Sequence, residues 1–490
     1  MADQKKIVVI GAGFAGLSAA SLLAKAGHHV SVLEKHDQPG GRARIWEKDG
    51  FRFDMGPSWY WMPDVFENYF SLFNKSPTDF YELKRLDPSY RVYFGKDDLI
   101  DVPAAMAELE KLFEQLEPGS SKALKGFLAD AAGKYEIGMN KMVFKPSHSV
   151  FEYFEADTLK LQLLTSTRTH ISRYFKHSKL RQLLEFPVLF LGGTAQNIPA
   201  TYSLMNYADL ALGTWYPLGG INVIVKAMTA IAEEQGVEFR LNTDATKIVV
   251  ENGRLSRVLT SNRNYEADLV ISNADYEYTD RYLIDNGLEN YKAKYWDNRT
   301  LSPSALIFYI GTNKRIRSIQ HHNLFFDEEL DQHAKEIYST PRWPEKPLFY
   351  VCCPSKTDPT VAPANCENLF FLIPIAPGLE DNEAIREKCF DLVVSRFELI
   401  TGEEIRDSII VKRSYAINDF KSDYNSYRGN AYGLANTLMQ SAFMKPKIRS
   451  KKIKNLFYTG QMTVPGPGVP PAIISGQIVA REVLKYLHSI

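Results

Sequence analysis

Hydrophobic and polar positions change period several times along the chain, and each change marks an element. Ile7-Val8-Val9-Ile10 is an unbroken β-branched run, the pattern of a parallel strand covered on both faces. Gly11-Ala12-Gly13-Phe14-Ala15-Gly16 follows without a spacer, and a small-residue helix is predicted from about Ala15 to Lys25, stopped by Gly27. Val30-Ser31-Val32-Leu33 makes a second strand that ends on Glu34. Further on, Ala104 to Leu116, Lys122 to Met139 and Thr158 to Leu184 carry apolar residues at helical spacing, and Phe186 to Gly193 closes that stretch apolar. Ala305 to Ile310 and Leu369 to Ile373 read as strands of an antiparallel sheet. Gly236 to Phe239, Ala245 to Ile248 and Ala267 to Ala274 read as strands, with a hairpin turn through Glu251-Asn252-Gly253. Near the end, Asn455 to Gln461 reads as a short strand, Pro465 to Pro471 as a glycine- and proline-rich loop, and Ala472 to Leu487 as a helix.

The first forty residues form a βαβ unit with chemistry attached. The first glycine permits a tight turn, the second admits a pyrophosphate against the backbone, and the third lets helix pack on strand. Phosphates then face the positive end of the helix. Glu34 falls where an acidic residue accepts the hydroxyls of an adenosine ribose, with Lys35 beside it. This pattern predicts dinucleotide binding through Gly11, Ala12, Gly13, Phe14, Ala15, Gly16 and Glu34.

The segment after the second strand separates the possible dinucleotides. Pro39-Gly40-Gly41-Arg42-Ala43-Arg44 resembles the second FAD signature of the amine-oxidase-like flavoproteins, and Phe53-Asp54-Met55-Gly56-Pro57-Ser58 continues that likeness. The C-terminal loop, with Ser475-Gly476 in its helix, is similar to the third FAD motif of the bacterial carotenoid desaturases, the phytoene desaturase group. The resemblance extends over nearly the whole chain. It implies an α/β fold: a discontinuous Rossmann-like FAD domain built from residues 1–80, 215–300 and 425–490, with residues 81–214 and 301–424 as a helical and antiparallel-sheet part that takes substrate and meets a membrane. It implies FAD contacts from Lys35, Gly41, Arg42, Gly56, Pro57, Ser58, Ala245, Gly460, Gln461, Gly468 and Val469. Gln461 stands where the amine oxidases usually carry an acid, and the C-terminal motif has no cysteine to tether a flavin, so FAD is expected noncovalently. The implied reaction is phytoene-type desaturation of a C40 carotenoid by hydride transfer to the flavin. The alternative is 3,4-desaturation of a later hydroxylated or monocyclic carotenoid. A flavin amine oxidase and a non-enzymatic carotenoid-binding protein are more distant readings.

Composition narrows the partners. With 58 Lys plus Arg against 58 Asp plus Glu, the formal charge is zero, and no global field attracts nucleic acid. Two local clusters lack acids: Lys160, Arg168, Arg173, Lys176, Lys179 and Arg181, and Lys445, Lys447, Arg449, Lys451, Lys452 and Lys454. Interleaved with apolar residues, the first suits a helix lying on an anionic membrane surface. Lys5-Lys6 and the uncharged run after them imitate a secretory signal, but cleavage would remove the dinucleotide motif. No run reads as a spanning helix, because Gly460 to Ala480 carries four prolines. A cytoplasmic, peripherally attached protein is expected, with a quinone or oxygen as electron acceptor. The four cysteines, Cys352, Cys353, Cys366 and Cys389, form no zinc or disulfide pattern and suit a reducing compartment. No metal site is expected, His321-His322 reads as a surface turn, and no catalytic residue is assigned; Asp54, Tyr216 and Asp275 are only nominal proton acceptors.

Overall fold

The computed structural model describes residues 4–153 and 161–489. Its N-terminal unit is strand β1 (Lys6–Ile10), helix α1 (Phe14–Lys25) and strand β2 (His29–Leu33). The two strands pair in parallel and the turn between them is a left-handed glycine, Gly11 at φ +95°. They lie within a five-stranded, all-parallel sheet in the order Leu456–Tyr458, Leu269–Ser272, β1, β2, Glu238–Arg240. Strands distant in sequence thus flank the β1–β2 pair, and the loops after β1, Leu269–Ser272 and Leu456–Tyr458 emerge at one edge, where open α/β sheets bind ligands.

The C-terminal helix, Val469–His488, packs across α1 at backbone contact distance. Ser18 donates to the carbonyl of Ile473 at 2.8 Å, and a Cβ on Gly476 would sit 2.3 Å from the carbonyl oxygen of Ala15. The three-stranded antiparallel meander Ala245–Glu251, Arg254–Thr260 and Asn264–Glu266 turns first at Asn252-Gly253, both at positive φ as a tight hairpin requires.

A seven-stranded sheet forms the second layer. Its order is Ile409–Tyr415, Ser304–Thr312, Glu367–Ile375, Phe349–Cys352, His322–Phe325, Tyr90–Gly95, Asp98–Val102. All neighbouring pairs are antiparallel except His322–Phe325 with Tyr90–Gly95. Residues 81–214 therefore do more than form helices, since two of their strands extend this sheet. Tyr90-Arg91-Val92-Tyr93 alternates too briefly to stand out from loop on pattern alone.

Two predicted helices occur as Met106–Leu116 and Ser120–Ile137. The long third one does not. Its first residues and Lys160 lie outside the described residues, and the rest divides into Thr167–Ser172 and Ser178–Glu185. The break has a partner: the carboxylate of Glu117 accepts the backbone N–H groups of Lys176 and His177 at 2.9 and 2.8 Å, holding the chain out of helix there. Phe186–Leu191 is a 3-10 turn.

The basic clusters change character in three dimensions. Arg168 pairs with Glu185 and Asp331, and Lys179 with Asp98, all distant in sequence except Glu185. Lys447 and Lys452 donate to backbone carbonyls. Lys445 is buried. Arg173 and Lys176 remain exposed. Among the described residues no helix is long and apolar enough to cross a membrane.

Candidate active site

A long pocket runs along the edge where the parallel strands end, from β2 to the apolar face of the seven-stranded sheet. One end is lined by Glu34, Lys35, His36, Thr243, Asp244, Ala245 and Tyr278. The middle is lined by Gly11, Gly13, Phe14, Ala15, Gly41, Arg42, Asn273, Gly460 and Gln461. The far end is lined by Met55, Gly56, Pro57, Gly468 and Val469 under Ala305, Ile307, Leu372 and Tyr432.

The local chemistry suits an extended dianionic dinucleotide. Both oxygens of the buried Glu34 carboxylate accept backbone N–H groups, from Ala12 at 2.8 Å and His36 at 3.0 Å, so its position is fixed while second lone pairs stay available. Ala12 serves the site through that bond rather than by lining it. Gly13 and Gly41 approach closely: a Cβ on Gly41 would lie 3.3 Å from the Gly13 Cα. Side chains here would fill the groove that a pyrophosphate needs. Gly16 is also outside the lining. A Cβ there would meet the Gly11 carbonyl oxygen at 2.1 Å, so its glycine serves the packing of α1 on its own turn. Ser58 faces away and shares a 3.0 Å hydrogen bond with Tyr350.

Charge is concentrated around Arg42. Its guanidinium donates to Ser426 and the Asn430 carbonyl at 3.2 and 3.3 Å and stacks on Tyr424, and its Nε is buried with no hydrogen-bond partner. An anionic or carbonyl-bearing ligand would supply that acceptor. Asp275 lines the same stretch, and burial, only partly offset by Arg42, pushes its carboxyl up to about 6. Its oxygens accept from Glu277, Tyr278 and Tyr427 backbone N–H groups, which makes it a helix cap and loop tie. Asp54 has a similar role: it accepts from the N–H groups of Ile221 and Asn222 at the start of helix Asn222–Glu234, and burial pushes it up to about 6.

Several lining residues escaped sequence reasoning. Asn273 donates its amide to the Gly11 carbonyl at 3.2 Å and abuts Gly13, Gly16 and Gly460, joining the N-terminal glycine turn to the C-terminal one. Asp423, Tyr424 and Tyr432 come from a stretch with no periodic signal. The signal for Asn273 was its place just past a buried strand, at the carboxyl end of a parallel sheet.

His321 and His322 do not form a surface turn. Both are buried, His322 stacks face to face on Trp59 at 4.0 Å, and burial pushes both imidazoles well below their ordinary value. Strand His322–Phe325 is interior because Tyr90–Gly95 covers its other edge.

Lys445 is the second surprise. It is 3% exposed, its ammonium has no hydrogen-bond partner, and burial lowers it to about 7. A Cβ on Gly466 would lie 3.3 Å from Lys445 Nζ and 3.1 Å from Asn436 Oδ1, another buried atom without a partner. An unfolded lysine titrates near 10.4, so between about pH 7 and 10 the unfolded chain binds the extra proton and stability rises with pH. Over that window the gain is about 4 kcal/mol at most. Urea melts at pH 7 and pH 10 should show this rise, and Lys445→Met should remove most of it; an identical rise in the variant would assign it to other groups.

A parallel sheet with a glycine-lined groove, a fixed acidic residue after β2 and an apolar roof at the far end defines an FAD-dependent oxidoreductase. Residues 14–484 match the family described as flavin containing amine oxidoreductase. The chain is 40% identical over 485 residues to a carotenoid 3,4-desaturase of Haloarcula japonica, covering 98% of each. It is 31% identical to a zeta-carotene-forming phytoene desaturase of Myxococcus xanthus, covering 99% of this chain and 95% of that one. Among solved structures, an oxidoreductase from Methanosarcina mazei aligns over 97% of this chain and 100% of its own, with a TM-score of 0.64 and 18% identity, which speaks for the fold. The chain belongs to the flavin-containing amine oxidoreductase family, in its carotenoid desaturase group.

Proposed function

We propose that this protein is an FAD-dependent desaturase of the 3,4 bond of a carotenoid. The observation that carries this reading is the 40% identity, end to end, with the Haloarcula japonica carotenoid 3,4-desaturase, against 31% with the Myxococcus xanthus phytoene desaturase. Phytoene-type desaturation, the first expectation from the motifs, becomes the second reading.

When bound, FAD supplies the two-electron acceptor for hydride. Glu34 would hold its adenosine end, Gly13 and Gly41 its pyrophosphate, and the N-terminus of helix Val469–His488 its pyrimidine edge, where negative charge grows on reduction. Ala305, Ile307, Leu372 and Tyr432 would keep water from the reacting polyene. The reduced cofactor would be reoxidised by a quinone or oxygen.

Under anaerobic conditions a hydroxylated acyclic carotene in detergent should bleach the oxidised flavin band while its own absorption moves to longer wavelength. Phytoene should bleach it at least tenfold more slowly, and NAD should do nothing. Equal rates would favour the phytoene reading, and bleaching by a primary or secondary amine alone would remove the carotenoid from the account.

Attachment to an anionic membrane is a further part of the proposal. Phe151, Leu164, Leu438 and Met439 are exposed, and Tyr153 packs on Phe443, which holds two of these segments together. Arg173 and Lys176 are exposed and can meet lipid phosphates, whereas Arg168 and Lys179 are paired with acids. Flotation with anionic vesicles should fall as salt rises and fall further in Arg173→Glu/Lys176→Glu, since screening acts within about 10 Å at 0.1 M. Binding that ignores both lipid charge and salt would leave the apolar residues alone responsible.

A further inference from the structure

Beside the pocket's apolar roof, on the same face of the sheet as Leu372 and Tyr350, strands His322–Phe325 and Phe349–Cys352 pair and carry a polar cluster that the proposed desaturation does not use. His322 stands directly across the antiparallel pair from Cys352, and His321 folds its ring against that of His322 at 4.5 Å. One ring nitrogen of each histidine and the Cys352 sulfur all lie within 4.8 Å of one another. All three residues are at least 96% buried, since His321 is 4% exposed, Cys352 1% and His322 0%.

The hydrogen bonds leave specific atoms open. His321 Nδ1 is 2.8 Å from the Thr357 hydroxyl and His322 Nδ1 is 2.6 Å from the Tyr350 hydroxyl, while both Nε2 atoms are buried without a partner. If each Nδ1–H donates to its hydroxyl, each Nε2 presents a lone pair. This is the arrangement that sets the tautomer and aim of metal-binding histidines. Trp59 stacked on His322 and Tyr216 packed 4.6 Å from His321 hold the ring planes. A small cavity of about 20 Å³ adjoins Cys352, lined also by Asp54, Ser58 and Tyr216, and a particle of water size fits such a volume. The Tyr216 hydroxyl is also buried with no hydrogen-bond partner.

Two buried imidazole lone pairs without a partner carry the cost of desolvation with nothing in return, and a cation would supply that partner. We propose that His321, His322 and Cys352 bind one zinc-class transition-metal ion, with the cavity beside Cys352 holding a water as fourth ligand. Two nitrogens and a sulfur are a donor set that borderline and soft cations prefer, and a hard cation such as magnesium would not. Ligand atoms around zinc stand roughly 3.5 Å apart, given bonds of about 2.0 to 2.3 Å, so the side chains need draw in by little more than an ångström. On binding, the Cys352 thiol loses its proton to solvent and the sulfur electron pair forms the metal bond. The remaining positive charge is met by Asp54, whose field reaches the Cys352 sulfur. The ion would clamp two sheet strands beneath the Tyr350–Ser58 bond and so steady the Gly56 to Ser58 loop at the flavin end of the pocket.

The test uses flavin-loaded full-length protein without a histidine tag, grown with added zinc and, separately, with added cobalt. About one metal equivalent per flavin is expected after exhaustive dialysis. The cobalt form should show a thiolate-to-cobalt charge-transfer band in its difference spectrum. Cys352→Ser should abolish the band and His321→Gln should lower metal content at least tenfold, while Cys353→Ser and Cys389→Ser keep both. Should the Cys352 or His321 variant fail to fold, the wild-type band surviving in Cys353→Ser, Cys366→Ser and Cys389→Ser leaves Cys352 as the remaining thiolate and still assigns the site. One equivalent of copper in place of zinc would support the same ligands. Less than a tenth of an equivalent from either medium, with no charge-transfer band, would overturn the proposal.

Discussion

Gly13→Val will purify colourless yet folded. Gly13 has an ordinary extended backbone, at φ −74° and ψ 173°, and the nearest atom to an added Cβ is the Asn273 amide nitrogen at 3.0 Å, a side chain able to swing. The substitution thus costs the apoprotein little. The groove between Gly13 and Gly41 is a different matter, since even a Cβ on Gly41 would lie 3.3 Å from the Gly13 Cα, where a pyrophosphate must lie against backbone. Two methyl groups there exclude the phosphates, and binding should weaken by three orders of magnitude or more, about 4 kcal/mol. The expected result is less than 5% of wild-type flavin content, with far-ultraviolet circular dichroism unchanged. A normal yellow spectrum in the variant would show that the cofactor lies elsewhere in the pocket.

Gly476→Ala should be the most damaging single methyl group in the C-terminal helix, and Gly133→Ala supplies its opposite. The added Cβ at Gly476 would lie 2.3 Å from the Ala15 carbonyl oxygen, 2.6 Å from Ser18 Cβ and 2.9 Å from the Ala19 nitrogen, all on α1 and mostly backbone. Relief requires the two helices to part, which breaks the Ser18 to Ile473 bond and withdraws Gly468 and Val469 from the pocket. A loss of about 3 kcal/mol is expected, at the upper end for overpacking. Gly133 lies in helix Ser120–Ile137 with nothing within 4 Å of its Cβ position, so alanine there should add about 0.5–1 kcal/mol through helix propensity. Urea midpoints should therefore move in opposite directions. Equal small shifts would mean that the close packing of the two helices is not needed for stability.

Local pattern was enough for everything that depends on neighbours in the chain. The run Ile7 to Ile10, the three glycines and the β-branched strand before Glu34 specify the βαβ unit, because turn, helix start and strand burial are set within about thirty residues. Asn252-Gly253 specified its hairpin for the same reason, and the prolines at 470 and 471 could only open a helix. What needed the fold were the meetings of distant segments. Tyr90–Gly95 became an interior strand only because His322–Phe325 lay beside it, and that pairing turned His321 and His322 from an apparent surface turn into buried neighbours of Cys352. Arg168 and Lys179 looked like free membrane contacts until Asp331 and Asp98 closed on them, and Lys445 looked like one of six surface cations until burial removed it. Charge and burial are properties of the environment, and for these residues the environment comes from parts of the chain tens to hundreds of positions away. Only tertiary structure could decide them.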